Sequence, residues 1–181
     1  MKQNIRIAVV CIARRTFDHL AASEIYNKIQ TEVFIGDARN LDPLKDNSID
    51  LIISHPPYFG AILYYNIYQL ENDLLGFDHE EIKDVDISTY SLEKYMRNMK
   101  KVFDETYRVL KPKKYACVVI GDTRRNGDII PAFSHFIDYG TEIGYRLKDI
   151  FIWVLIAKAG MNVARRGNYI DHNYILIFQK K

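Results

Sequence analysis

The chain has 181 residues, 48% hydrophobic and 13% aromatic, with a formal net charge of +2. That is enough apolar side chain for one ordinary core and too little length to promise two, and the near-neutral balance neither demands nor excludes a polyanionic partner. The longest apolar runs, 5–13 and 150–157, fall well short of the roughly 20 residues that cross a bilayer, and no cleavable signal pattern opens the chain, so a soluble cytoplasmic protein with no membrane partner is expected.

In chain order, 5–13 reads as a strand buried on both faces, closed by Arg14-Arg15, with a helix following over 17–29. A short strand at 33–35 ends in Gly36-Asp37. Residues 49–54 form another buried strand, stopped by Pro56-Pro57 because neither proline can donate to a ladder. A helix is expected over 62–75, then an acidic, polar, mobile loop over 78–89. The stretch 91–110 is a long amphipathic helix with Leu92, Tyr95, Met99, Val102, Phe103 and Val109 on its apolar side, ended by Lys111-Pro112. A strand at 115–120 leads to Gly121-Asp122, a helix covers 131–139, and strands at 150–156 and 174–178 close the chain as a hairpin with Trp153 in the core. Alternating strands and helices imply an α/β fold with a mostly parallel sheet and right-handed crossovers. Cys11 and Cys117 stand in apolar runs and read as buried thiols, and His135 and His172 have no partners at metal-ligand spacing, so no metal is expected.

Ligands of open α/β sheets bind at the carboxyl ends of the strands. Three expected strands end there in chemically useful residues: Asp37, the run His55-Pro56-Pro57-Tyr58, and Asp122. Methylating an aromatic amino group requires hydrogen-bond acceptors that pull its nitrogen towards tetrahedral geometry, and alignment with an electrophilic methyl. Two consecutive prolines form a stiff turn that lacks backbone donors and turns its carbonyls outward as acceptors. The polar His55 before them adds an acceptor, and Tyr58 after them offers a stacking surface for a flipped base.

Gly36-Asp37-Ala38-Arg39, then Asp50 through His55-Pro56-Pro57-Tyr58, then Glu105-Thr106-Tyr107-Arg108-Val109-Leu110-Lys111-Pro112, then Gly121-Asp122 and a closing strand at 174–180 together resemble the DNA amino-methyltransferases, which modify adenine N6 or cytosine N4. The resemblance covers 32–181 as one catalytic domain and leaves 1–31 as a separate strand-helix segment. It implies a Rossmann-like sheet of order 3-2-1-4-5-7-6 with strand seven antiparallel, S-adenosylmethionine as cofactor and DNA as partner. It also implies catalytic roles for His55, Pro56, Pro57 and Tyr58, cofactor contacts at Asp37 and Ala38, and substrate contacts at Tyr58, Asp122, Arg124 and Arg125.

Two features depart from the family pattern. His55 replaces the usual Asp, Asn or Ser, and histidine accepts a hydrogen bond only through the unprotonated nitrogen of its neutral ring. None of the nine glycines forms the Gly-x-Gly turn over which such enzymes bind the cofactor's methionine part. The sequence therefore supports a DNA amino-methyltransferase domain, a non-catalytic remnant that serves as a binding module, or an RNA guanine-N2 methyltransferase. Association is expected as a homodimer or with a subunit that carries the missing motif. Individual residues keep two readings. Asp37 binds cofactor or caps a turn, and Asp122 meets substrate or belongs to a solvated loop. Tyr64, Tyr65 and Tyr68 line a base channel or pack in a core or interface, and Arg165-Arg166 grip phosphate or are plain surface. Asp50 is expected to anchor the loop before its strand.

Overall fold

A computed structural model describes residues 36–125, 127–154, 170 and 172–181. The elements expected at 5–13, 17–29 and 33–35, together with Cys11, Arg14-Arg15 and Arg165-Arg166, lie outside the described residues. Strand β1 (Ile49–Ser54) is followed by three short helices, α1 (Tyr64–Ile67), α2 (Gln69–Leu74) and α3 (His79–Val85), and by the long helix α4 (Leu92–Val109). Strand β2 (Leu110–Ile120), the small hairpin β3 (Thr123–Arg125) and β4 (Asp128–Ile130), helix α5 (Ala132–Ile143), β5 (Tyr145–Val154) and β6 (His172–Lys180) complete the order.

The described sheet has the order β1-β2-β6-β5. β1 runs parallel to β2, while β6 is antiparallel to both β2 and β5. This is the 4-5-7-6 portion of the expected order, with the penultimate position reversed as anticipated. Because the strands expected at 5–13 and 33–35 lie outside the description, the described sheet is mixed rather than mostly parallel.

The core forms where α4 and α5 cover the sheet. Tyr95, Met99, Val102 and Phe103 of α4, Phe136 of α5, Val118 and Ile120 of β2, and Leu176 and Phe178 of β6 are all buried in one cluster. Phe103 meets Phe136 and Phe178 edge-on, at centroid distances of 5.2 and 5.8 Å. Helix α5 approaches the sheet closely at Gly140, where an added Cβ would stand 2.7 Å from the Phe178 ring. Ser91 caps α4 by accepting from Lys94 N–H. Arg108 on its last turn donates to Glu105, Asp46 and the carbonyls of Leu41 and Leu44, which pins the segment before β1 against the helix. Asp50, expected to anchor the loop before its strand, pairs instead with Lys111 and Lys114 of β2, at 2.7 and 3.2 Å.

Four expectations need correction. The single helix at 62–75 is two short helices that part at Tyr68, whose φ of −96° and ψ of 21° leave helical geometry, and neither helix buries a residue. Its apolar spacing does not serve a core: Ile67, Leu70, Leu74 and Leu75 are all exposed. The mobile loop at 78–89 contains α3, started by the Asp78 carboxylate, which accepts from Glu80 and Glu81 N–H. Asp78 followed by Glu80 and Glu81 was a readable start signal, because acidic side chains satisfy and complement the free N–H groups of a first turn. The strand expected from 115 begins at Leu110, and Pro112 falls inside it. The ladder with β1 skips from Leu110 to Tyr115 there, so the proline removes no bond. Trp153 is 51% exposed on the edge strand β5 rather than in the core. Among the described residues, no helix is long and apolar enough to cross a membrane.

Candidate active site at the end of strand β1

β1 delivers the chain to His55, which is exposed, while Pro56 beside it is buried. The turn is held from below by α4. Tyr95, 0% exposed, donates its hydroxyl to the Pro57 carbonyl at 2.7 Å. Burial drives the Tyr95 pKa well above the ordinary phenol range, so the group stays a donor. The expectation that both proline carbonyls face outward is therefore corrected: that of Pro57 is turned inward, because a buried tyrosine hydroxyl needs a partner. Phe59 is buried beside it, 5.6 Å from the Tyr95 ring.

Tyr58 comes back over the end of β2. A Cβ on Gly121 would stand 2.7 Å from Tyr58 Cε2 and 2.7 Å from Asn173 Oδ1, so only glycine lets the ring and the amide close together here. Burial raises the Tyr58 pKa, the neighbouring Tyr64 adds to the rise, and the nearby Asn173 side chain opposes it. The Tyr58 hydroxyl lies 3.0 Å from His55 Nε2, with ring centroids 5.2 Å apart and planes at 65°. His55 is thus an exposed group tethered through one nitrogen.

The other expected site residues have definite local duties. Asp37 accepts from Arg39 N–H at 2.8 Å and from its guanidinium at 2.5 to 2.9 Å. Burial raises the Asp37 pKa, but these bonds outweigh it and hold the carboxyl below the usual range. Three donors of Arg39, its backbone N–H, Nε and Nη2, thus engage a carboxylate that offers about four acceptor positions. Ala38 packs against the core.

Asp122 Oδ1 accepts from Phe133 N–H at 3.3 Å and so serves the first turn of α5. The Arg125 guanidinium lies over the rings of Tyr90 and Phe59, at 5.0 and 5.7 Å, and donates to the Tyr90 carbonyl at 2.7 Å. It clamps the β3–β4 hairpin to the loop after the proline motif. Arg124 is exposed on that hairpin. Tyr64 and Tyr68 stack at 6.2 Å and 8°, both with more than a third of their surface exposed, which excludes core packing for the pair. Residues not singled out from the sequence as site residues include Tyr95, whose amphipathic position was legible but whose hydroxyl duty was not, and Asn173, which carried no signal within the last strand.

Burial lifts the Asp122 pKa above the ordinary carboxylate value, while the Phe133 N–H, His172 and the Ala132 N–H pull the other way. An acid whose pKa is raised on folding favours the folded state when protonated, and that advantage is lost as pH rises through its folded pKa. Asp122→Asn retains an oxygen for Phe133 and removes the buried charge. The variant is expected to melt at a higher temperature than the parent at pH 7, with the difference closing as the pH is lowered through the carboxylate range. A variant less stable than the parent at pH 7, with the deficit closing at low pH, would show instead that the charge itself supports α5.

The sequence matches the family model for DNA methylases over residues 49–181. Among curated relatives, the type II methyltransferase M.MjaI of Methanocaldococcus jannaschii is 28% identical over 169 residues, covering 82% of this chain and 55% of its own length. M.MthZI of Methanothermobacter thermautotrophicus is 26% identical over 165 residues, covering 85% and 46%. The chain thus spans about half the length of these relatives. The fold is similar to that of PvuII DNA methyltransferase, described as cytosine-N4-specific, with a TM-score of 0.55 at 19% identity over 82% of this chain and 48% of that one. It is also similar to TTHA0409 of Thermus thermophilus, described as a DNA modification methylase and solved with S-adenosyl-L-methionine, with a TM-score of 0.51 at 21% identity over 81% and 54%. With more than two thirds of its residues inside the family match, the chain belongs to the DNA methylase family of S-adenosylmethionine-dependent, N6- and N4-directed amino-methyltransferases.

Proposed function

We propose that this chain carries the substrate-side half of a methyltransferase active site acting on an exocyclic amino group of a DNA base, with His55, Pro56, Pro57 and Tyr58 as the base clamp. The observation that carries the reading is the way the motif is held: a rigid turn at the carboxyl end of β1, fixed from the core by the 2.7 Å bond from Tyr95 to Pro57, with His55 left exposed. Such preorganisation is what positioning a weak nucleophile demands.

With the Pro57 carbonyl bonded to Tyr95, the acceptors assigned to the amino group in this reading are one nitrogen of the exposed His55 and the Pro56 carbonyl. Two acceptors on one nitrogen orient its lone pair away from the ring and towards the incoming methyl. Tyr58, backed by Gly121, supplies the stacking surface. S-adenosylmethionine, when bound, supplies the electrophilic methyl group. Asp37, oriented by Arg39 and partly exposed, and Ala38 beside it are the residues proposed to meet the cofactor's adenosine side.

The family match over 49–181 supports DNA over RNA as the nucleic acid. The exposed β3–β4 hairpin with Arg124 suits a phosphate contact, which supplies sequence-independent affinity. A second copy or a complementing subunit is part of the proposal: Ile53 at the end of β1 is 65% exposed, and residues 150–154 of the edge strand β5 are exposed apolar side chains. Surfaces of this kind recruit other chains.

Isothermal titration calorimetry of S-adenosylmethionine and S-adenosylhomocysteine into the purified chain tests the reading. Saturable binding, followed by transfer of labelled methyl to DNA that is lost in His55→Leu, is the expected result. No cofactor binding by the chain, alone or with added partner subunit, would leave a non-catalytic binding module as the function.

A further inference from the structure

Asn98 lies on the buried side of α4 with Tyr95, Met99 and Val102, and only 6% of its surface is exposed. Its side-chain oxygen accepts from Arg39 Nη1 at 3.2 Å. A guanidinium can only donate, so the amide atom that faces it is the oxygen, and the nitrogen points elsewhere. That nitrogen is buried and has no hydrogen-bond partner among the described residues. A stranded amide donor costs folding free energy that an apolar side chain of similar shape would not. Stability therefore does not account for an asparagine here, and the work of its oxygen does.

That oxygen leads to the turn before β1. Arg39, with 16% of its side chain exposed, gives its backbone N–H, Nε and Nη2 to Asp37, whose side chain remains 38% exposed. Nη1 and Nη2 belong to one rigid plane, so fixing the first on a core helix sets the angle at which the second meets the carboxylate. We propose that Asn98 is a positioning residue for the cofactor's adenosine side: from within α4 it fixes the Arg39 guanidinium and through it aims the partly exposed Asp37 carboxylate. The purpose rests on the assignment of Asp37 to the cofactor made above, whereas the series Asn98, Arg39, Asp37 does not. A carboxylate already held at one angle can accept from an exocyclic amine, such as that of adenine, without losing side-chain freedom on binding.

Asn98→Leu retains the volume and removes the amide. Its urea midpoint is expected to be no lower than the parent's, because the stranded donor is gone. Burial pushes the Asp37 carboxyl up, but the Arg39 bonds, with Lys101 adding to the pull, hold it below the usual range. With Arg39 loosened, that carboxyl is expected to titrate at higher pH, read by carbon-13 NMR and assigned by its loss in Asp37→Asn. Calorimetry is expected to show S-adenosylhomocysteine bound about tenfold more weakly, the scale of one misplaced hydrogen bond to a charged group. Asn98→Asp, which keeps an oxygen for Arg39, is expected to bind it as the parent does. An Asp37 titration unchanged in the folded leucine variant overturns the proposal, as does binding equal to the parent's. A leucine variant that is less stable or unfolded assigns the amide to the fold and overturns it too, and so does an aspartate variant that binds as weakly as the leucine one. If the parent binds no S-adenosylhomocysteine while the titration still shifts, the cofactor reading fails and the positioning series stands.

Discussion

Phe136→Ala is expected to destabilise the domain by about 4 kcal/mol, the range found when a fully buried aromatic side chain is removed from a packed core. Phe136 is 0% exposed and stands between the two helices, with the Phe103 ring edge-on at 5.2 Å and the Tyr95 ring stacked at 6.5 Å. Its neighbours are large and braced by further rings, since Phe103 also meets Phe178 at 5.8 Å. They cannot collapse far into the space left, so the cavity cost adds to the lost transfer free energy. The same truncation removes the support behind Tyr95, whose hydroxyl holds Pro57. Urea denaturation followed by circular dichroism measures the loss, with Phe136→Leu expected to cost less than half as much. A loss under about 1 kcal/mol for the alanine variant would mean that α4 and α5 are not packed as described.

Lys180→Met is the second large effect, at roughly 3 kcal/mol, because it strands several acceptors at once. Lys180 is 8% exposed although charged. Its ammonium donates to the carbonyls of Tyr107 and Leu110 at 2.5 and 2.8 Å and to Asn47 Oδ1 at 2.9 Å, and it lies 4.5 Å from the centre of the Tyr107 ring. These carbonyls belong to the end of α4, where backbone acceptors lack helical partners and the helix dipole favours a cation. Methionine retains the stem volume and removes the donors. The expected signature is a lower urea midpoint with an unchanged slope, since the same surface is exposed on unfolding. Equal midpoints for the variant and parent would show that the carbonyls find water instead.

Much of the described fold was legible from the spacing of apolar residues alone. β1 has the expected bounds, and α4 starts and stops within a residue of them because Ser91 is a capping residue and its apolar positions repeat with helical period. The hairpin of β5 and β6 followed from two apolar runs, though both strands extend further than their most hydrophobic stretches. The misreadings share a cause. Periodic apolar residues at 62–75 suggested one helix packed in a core or interface, and Trp153 a core position, but periodicity states which residues share a face and not whether anything covers that face.

The family, the double-proline motif and the strand end that presents it are written in the chain alone, because His55-Pro56-Pro57-Tyr58 and the elements around it are local patterns whose backbone consequences follow from proline chemistry and hydrophobic period. Which partners the polar groups meet inside the protein was decided only by folding. Asp37, Asp122 and Arg125 are polar residues at promising positions in the chain, and each also bonds within the fold: to Arg39, the Phe133 amide and the Tyr90 carbonyl. Pro57 is taken by Tyr95, 38 residues away. Hydrogen-bond capacity is spent between neighbours in space, and no pattern along the chain records which donor reaches which acceptor once the core has closed.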